Sequence, residues 1–383
     1  MRLLLAGGGT GGHIYPALAV ARVLRTRLPE LELVWVGGHR GLEARLVPAA
    51  GIRLRRLLLR SLRTVERDVH LVLDPVRLVA SLPQAVSILL AERPAAVLAT
   101  GGYASIPVLV AARLLGLPTL LWEGNVVPGR SVRATARLAR VVAVADPATC
   151  GALGRAGGCY VTGTPIRDVR GVDREAARRR FEIPPGGRAL LVFGGSQAVR
   201  RLNEAVLAAL PELVERVWVL HVTGTDGYAA ALAARERLPA ERRERYRPYP
   251  FLHEEMTDAL AAADLLVGRA GASTLAEAAA FGLPVVIVPY PHAAGHQLAN
   301  AERVVAAGAG RLVPDEAFDA AALLDAAGLL DRPAEHARMA AAARSLARPG
   351  AAEAVAELVL ALALRRPLPE PAAVERLAAG SAG

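Results

Sequence analysis

Two glycine-rich segments lie about half a chain apart, and each joins an apolar run to a helical stretch. Gly7-Gly8-Gly9-Thr10-Gly11-Gly12-His13 follows Leu3-Leu4-Leu5-Ala6 and precedes Pro16-Ala17-Leu18-Ala19-Val20-Ala21. Gly194-Gly195-Ser196-Gln197 follows Ala189-Leu190-Leu191-Val192-Phe193 and precedes Leu202-Asn203-Glu204-Ala205-Val206. Strand, glycine turn and helix in that order gather bare backbone N–H groups at the positive end of a helix, a setting for a phosphate or a sugar oxygen. Ser196 can add a hydroxyl donor to the second cradle. The turn Gly271-Ala272-Ser273-Thr274, between the apolar 265–267 and the helical 275–280, has the same form and can hold a diphosphate. Glu277, one turn into that helix, can accept two ribose hydroxyls or can sit there for the helix dipole. His13 is an imidazole in a glycine loop at a strand's carboxyl end. Imidazoles titrate near neutrality, so it is a candidate general base, with helix capping as the alternative role. Glu123, beside Asn125, is the second candidate for the base.

These residues need elements to carry them. In the first half, strands are predicted at 33–38, 95–102, 118–123, 141–145 and 160–163, with helical segments between them. The second half restarts at 189–193 and continues with 217–221, 247–251, 265–267 and 284–289. Strands alternating with helices predict parallel, doubly wound sheets, with functional residues at the carboxyl ends of the strands. A boundary falls near Gly163-Thr164-Pro165. The expected division is residues 1–163, 164–349, a helix at 350–366 packing back on the N-terminal domain, and a disordered tail at 367–383.

With 383 residues, 53% of them hydrophobic, the chain can bury two cores. Aromatic residues are only 4%, which argues against base stacking and so against a nucleic-acid partner. All 46 basic residues are arginine, and residues 1–160 hold 20 of them against 9 acids. That asymmetry points to an anionic partner for the first half. Arg53, Arg55, Arg56, Arg60, Arg63 and Arg67 lie among leucines, and an apolar helix is expected from Val76 through Leu90, a composition suited to an anionic leaflet surface. Cys150 and Cys159 lack metal-ligand spacing, for which a reducing cytosol is the natural compartment. Met1-Arg2 leads directly into a strand, leaving no room for a signal peptide, and no apolar run reaches membrane-spanning length.

In order along the chain come Gly-Gly-Thr-Gly-Gly-His, Thr-Gly-Gly-Tyr at 100–103, Glu123 and Asn125, Gly-Thr-Pro-Ile-Arg at 163–167 and Gly-Gly-Ser-Gln at 194–197. Arg-Ala-Gly-Ala-Ser-Thr-Leu-Ala-Glu at 269–277, Gly-Leu-Pro at 282–284, Val-Pro-Tyr-Pro at 288–291 and His-Gln-Leu-Ala-Asn-Ala at 296–301 follow. This series resembles the MurG family, glycosyltransferase family 28, over roughly residues 1–360. The resemblance implies a GT-B fold: two Rossmann-like doubly wound parallel-sheet domains facing a central cleft. It implies an inverting transferase moving GlcNAc from UDP-GlcNAc to the C4 hydroxyl of MurNAc in lipid I to give lipid II, in peptidoglycan synthesis. The lipid acceptor goes mainly to the first domain and the nucleotide sugar mainly to the second.

Under the resemblance, Glu277 binds the ribose, Ala272, Ser273 and Thr274 the diphosphate, and the backbone of Leu252 the uracil, so that the Leu252 side chain should matter little. Thr10, Gly11 and Gly12 serve the acceptor pyrophosphate or the donor sugar, and Asn125 contacts the sugar. His296 or Gln297 reads the GlcNAc, with the choice between them open. Arg167, at the domain junction, neutralises the diphosphate or forms a surface ion pair. No protein-bound metal or other cofactor is required, because helix dipoles and backbone donors stabilise the leaving UDP. The implied location is the cytoplasmic side of the bacterial plasma membrane, as a peripheral protein, with other cell-wall synthesis proteins as further partners.

The chain departs from the family pattern at Trp122, Gly124, Thr164, Ala198 and Ala270. Another GT-B UDP-sugar transferase with a lipid acceptor, such as a diacylglycerol glucosyltransferase, would share the second half. A dinucleotide oxidoreductase would need an acid at the end of the second strand, where Val36-Gly37-Gly38-His39-Arg40 has none. A non-catalytic membrane adaptor would not need the polar residues around Glu277 and Gln297.

Overall fold

The computed structural model describes residues 1–39, 41–59, 70–155, 157–195, 200–291, 293 and 295–380, with backbone alone at 70–76. Ser196, Arg60, Arg63 and Arg67 lie outside the described residues. The chain divides into two units, one made of Met1–Asp168 with Arg348–Gly383, the other of Val169–Ala347.

Among the described residues the first unit is built on seven strands: β1 (Arg2–Ala6), β2 (Glu32–Gly37), β3 (Arg53–Arg56), β4 (Ala96–Ala99), β5 (Thr119–Glu123), β6 (Val141–Val144) and β7 (Cys159–Val161). They run parallel in the order β3-β2-β1-β4-β5-β6-β7. Its helices are α1 (Gly11–Arg27), α2 (Glu43–Ala49), α3 (His70–Glu92), α4 (Ser105–Leu114), α5 (Arg130–Thr135) and α6 (Pro147–Ala152). The second unit has β8 (Ala189–Phe193), β9 (Trp218–Val222), β10 (Tyr246–Tyr249), β11 (Leu265–Gly268), β12 (Val285–Ile287) and β13 (Gly310–Leu312), parallel in the order β10-β9-β8-β11-β12-β13. Around it lie α7 (Arg174–Arg180), α8 (Arg200–Arg216), α9 (Gly224–Glu236), α10 (Glu255–Ala262), α11 (Ala272–Phe281), α12 (His296–Ala306), α13 (Ala320–Ala327) and α14 (Pro333–Ser345). Two more helices, α15 (Ala351–Ala363) and α16 (Pro371–Ala378), return to the first unit.

The central strands are predominantly apolar because helices cover both sheet faces. Leu3 and Leu5 pack with Trp35, Leu98 and the α15 residues Val355, Leu358 and Val359. Leu4 points the other way, into a layer with Val36, Val97 and Leu109. In the second unit, Leu190 and Val192 meet α8 and α13, while Leu191 and Phe193 meet α7, α10 and α11.

Two expectations need correction. Within the tail expected to be disordered at 367–383, the described residues 367–380 are ordered: α16 begins with Pro371 in its first turn, buries Val374 and Ala378, and the carbonyl of Ala378 accepts the Gly350 N–H. Proline is favoured at a helix's first position, so Pro371 starts this helix rather than breaking it. Cys150 and Cys159 are joined in a disulfide that links α6 to β7, against the reading of both as reduced. Arg53 and Arg55 belong to the edge strand β3, and both pair with the buried Glu92 at the end of α3 while their side chains stay half exposed. Charged residues on an edge strand also block pairing with another chain. Among the described residues no helix is long and apolar enough to cross a membrane.

Candidate active site

Each sheet reverses its strand order once, between β1 and β4 in the first and between β8 and β11 in the second. The crevice at such a switch point is where open α/β sheets bind ligands. In the first unit Ala6 stands beside Ala99, so the loop after β1 and the turn Thr100-Gly101-Gly102 leave the sheet side by side. Thr10 is the N-cap of α1, with no side-chain cap and no acidic residue in the first turn. The Gly11 and Gly12 amides therefore open a helix N-terminus suited to an anion.

His13 lies in that first turn. Its Nδ1 is 2.7 Å from the Thr100 carbonyl oxygen, and the Thr100 hydroxyl donates back to the His13 carbonyl at 2.5 Å. A carbonyl only accepts, so Nδ1 carries the proton and Nε2 keeps its lone pair, the tautomer a general base needs. Glu123 is placed differently. It is 3% exposed at the end of β5. One oxygen accepts from the Asn125 backbone and side-chain nitrogens at 2.9 and 2.8 Å, and the other accepts from the Gly129 N–H at 2.8 Å. Both oxygens of this carboxylate organise their own loop. The Thr149 hydroxyl of α6 secures the same loop by donating to the carbonyls of Asn125 and Val126, each at 3.1 Å. Arg167 stacks its guanidinium over the exposed Tyr15 ring of α1 at 5.9 Å, which places it beside the first glycine loop.

In the second unit Phe193 stands beside Gly268, so the loops after β8 and β11 are also neighbours. Ala272, Ser273 and Thr274 form the uncapped first turn of α11, again without an acid. The Ser273 hydroxyl is enclosed and has no hydrogen-bond partner among the described residues. A buried hydroxyl without a partner costs roughly 1–3 kcal/mol, which a bound phosphate oxygen would relieve. Glu277 is buried in the next turn. Gln297 and His296 begin α12. The Gln297 side-chain oxygen accepts from the backbone N–H groups of Ala270 and Tyr290, at 3.2 and 2.9 Å, and so ties the β11 and β12 exit loops together. Leu252 packs partly buried against the second unit's core.

Sequence reasoning passed over the residues that brace these loops. Asn300 donates to the Ala270 carbonyl at 3.0 Å. Arg269 donates to the Val288 carbonyl, pairs with Asp315 at 2.5 Å and lies 5.5 Å from the Tyr290 ring centroid. Their only signal was their place inside the 269–277 and 296–301 runs.

Two parallel-sheet units, each with glycine turns and uncapped helices at its switch point, define a GT-B nucleotide-sugar protein. The N-terminal domain model of glycosyltransferase family 28 matches residues 3–144, and its C-terminal domain model matches 189–358. The UDP-N-acetylglucosamine–N-acetylmuramyl-(pentapeptide) pyrophosphoryl-undecaprenol N-acetylglucosamine transferase of Moorella thermoacetica is 41% identical over 94% of this chain and 98% of its own. The same-named protein of Desulforudis audaxviator is 37% identical over 95% and 99%. The crystal structure of Acinetobacter baumannii MurG superposes with a TM-score of 0.73 at 30% identity, covering 94% of this chain and 99% of that one. The chain belongs to glycosyltransferase family 28, among the MurG proteins.

Proposed function

We propose that this chain is an inverting hexosyltransferase that moves GlcNAc from UDP-GlcNAc to the C4 hydroxyl of MurNAc in lipid I, giving lipid II for peptidoglycan synthesis. The observation that carries the reading is near full-length similarity to transferases named for that donor and acceptor. Local chemistry supports the division of labour. In the second unit, the open N-terminus of α11 and the Ser273 hydroxyl suit the UDP diphosphate, and Glu277 suits the ribose. Helix dipole and backbone donors there stabilise the charge that develops on the departing UDP, with no protein-bound metal in the scheme. Gln297 holds the loops that flank the sugar, which leaves His296 and the Gln297 amide nitrogen to read its hydroxyls. In the first unit, Gly11 and Gly12 receive the acceptor pyrophosphate.

His13 Nε2 takes the proton from the acceptor hydroxyl as its oxygen attacks the anomeric carbon and the bond to UDP breaks. The hydrogen bond from Nδ1 to Thr100 supports that role, and the full commitment of Glu123 to its own loop favours His13 over it. The acceptor is lipid-borne, so the reading places the enzyme peripherally on the cytoplasmic face of the plasma membrane.

The test is transfer of labelled GlcNAc to a lipid I analogue, paired with melting curves. UDP-GlcNAc should raise the Tm well above the shift given by UDP-glucose or NAD, and equal shifts from all three would sink the assignment. His13→Ala should lower kcat by about 100-fold or more, within the range for loss of a general base, while the UDP-GlcNAc-induced shift stays as in the wild type.

A further inference from the structure

The first glycine loop is held from beneath by a carboxylate that the proposed reaction does not use. Glu43, at the start of α2, is 2% exposed. Its Oε2 accepts the Gly9 N–H at 3.0 Å and its Oε1 accepts the Gly38 N–H at 3.1 Å. The carboxylate therefore ties the loop after β1 to the turn after β2. Glycines make room for it: a Cβ on Gly8 would lie 2.5 Å from Oε1, one on Gly37 would lie 2.9 Å from its Cγ, and one on Gly41 would collide with the carboxylate. Trp35 of β2 fastens the same loop by donating to the Gly7 carbonyl at 2.8 Å. On the opposite side, a Cβ on Gly102 would lie 2.6 Å from the Gly8 carbonyl oxygen, so the turn after β4 presses against the loop. Four residues beyond Gly9, the ring of His13 is fixed by Thr100.

We infer that Glu43 is a positioning residue for acceptor transfer, an internal anion that sets the first glycine loop so that Gly11, Gly12 and His13 face the lipid pyrophosphate and the attacking hydroxyl. The inference rests on the transferase reading above. The Gly9 N–H, which would otherwise be one more donor to a bound phosphate, is turned inward onto Glu43. The α1 N-terminus then supplies this loop's anion-binding donors. A carboxylate also stands near the end of the second strand, the place where a dinucleotide fold presents its acid to a ribose. Here both of its oxygens are occupied by the protein's own backbone. A buried charge accepting two N–H groups is costly to disturb, and a displacement of about 1 Å at a reacting group can cost about 100-fold in rate.

The test is Glu43→Gln, which keeps the size but turns one oxygen into an NH2 that faces a backbone N–H. Acceptor kcat/KM should fall about 10–100-fold, while the KM for UDP-GlcNAc stays within about twofold. Glu43→Asp, which retains the charge on a shorter arm, should recover part of the loss. Wild-type kinetics in Glu43→Gln would overturn the inference. So would parallel losses for both substrates, which mark general destabilisation. Amide hydrogen exchange gives a readout without activity: Gly9 and Gly38 should be protected in the wild type and exchange at least tenfold faster in Glu43→Gln, with the middle of α1 unchanged. Fast exchange at both glycines in the wild type would overturn it even where the variant fails to fold. A wild type that transfers no GlcNAc to the lipid acceptor would remove the transferase reading and, with it, the role assigned to Glu43 in acceptor transfer. In that case protected Gly9 and Gly38 amides would support only the clamp.

Discussion

At the scale of single residues, the sequence announced the groups that meet ligands better than the groups that hold them. Gly11, Gly12, Ser273 and Glu277 sit in short runs whose composition already points to phosphate and ribose chemistry. The braces are ordinary residue types, and only the fold brings them to their partners. Glu43 lies 34 residues from Gly9 and reaches it only because β2 runs beside β1, and Asn203 is more hidden still. The Asn203 side-chain nitrogen donates to the Thr223 carbonyl at 2.9 Å, so its oxygen faces His221 Nε2 at 2.9 Å. His221 Nδ1 then accepts the Tyr246 hydroxyl, also at 2.9 Å. The imidazole is wholly neutral in this chain of bonds, and burial lowers its pKa to about 3. The unfolded chain takes up that proton at about pH 6.5. The contribution of neutral His221 is therefore complete above that pH and is lost as the pH falls towards 3, at up to about 1.4 kcal/mol per pH unit. Urea unfolding at pH 7 and pH 5 should show the wild type losing about 2 kcal/mol more than His221→Gln over that interval. Parallel losses would mean that His221 is not the group that titrates.

Among the elements, the buried strands were legible because they are runs of branched or aliphatic residues, several of them followed by glycine. Strands β3 and β13 escaped. The first reads Arg-Leu-Arg-Arg, a polar edge, and the second is three residues long and contains Gly310. The opposite failure came at α16, where Pro367, Pro369 and Pro371 and the closeness of the terminus argued for disorder. The stripe of Val374, Leu377 and Ala378, at helical spacing, was the signal against it. These residues pack on the first unit's core, and Tyr160 of β7 has its hydroxyl pKa raised by burial and, secondarily, by the charge of Glu370 at the head of α16. Val374→Ala removes two methyl groups from a site that is 1% exposed. The expected cost is about 2 kcal/mol, which corresponds to a Tm lower by roughly 4–8 °C for a unit of this size. Melting followed by Trp35 and Trp122 fluorescence, both in the first unit's core, would detect it. An unchanged Tm would return the C-terminus to the status of a loose tail.

For the whole molecule, the charge asymmetry read from the sequence becomes sharper once the units are known. The unit made of 1–168 and 348–383 carries 25 Arg against 14 Asp and Glu, while the other unit is close to neutral. Arg53 and Arg55 share Glu92 as a partner yet keep half-exposed side chains, and the exposed side of α3 adds an apolar surface to this basic unit. Ser81, Ala85, Leu89 and Glu92 line its buried face. Val79, Pro83, Ser87 and Leu90 line the other, and Val79 is 73% exposed. An apolar stripe on a unit of net positive charge suits shallow insertion among anionic headgroups. The protein should co-sediment with vesicles containing about one third anionic lipid. Binding should fall steeply towards 1 M salt, where the Debye length shrinks to about 3 Å. Val79→Glu with Leu90→Glu should weaken vesicle binding at least fivefold and leave UDP-GlcNAc affinity in the second unit untouched. Salt-independent binding, or equal binding to neutral vesicles, would separate the basic charge from the membrane and leave the lipid tail alone to bring enzyme and acceptor together.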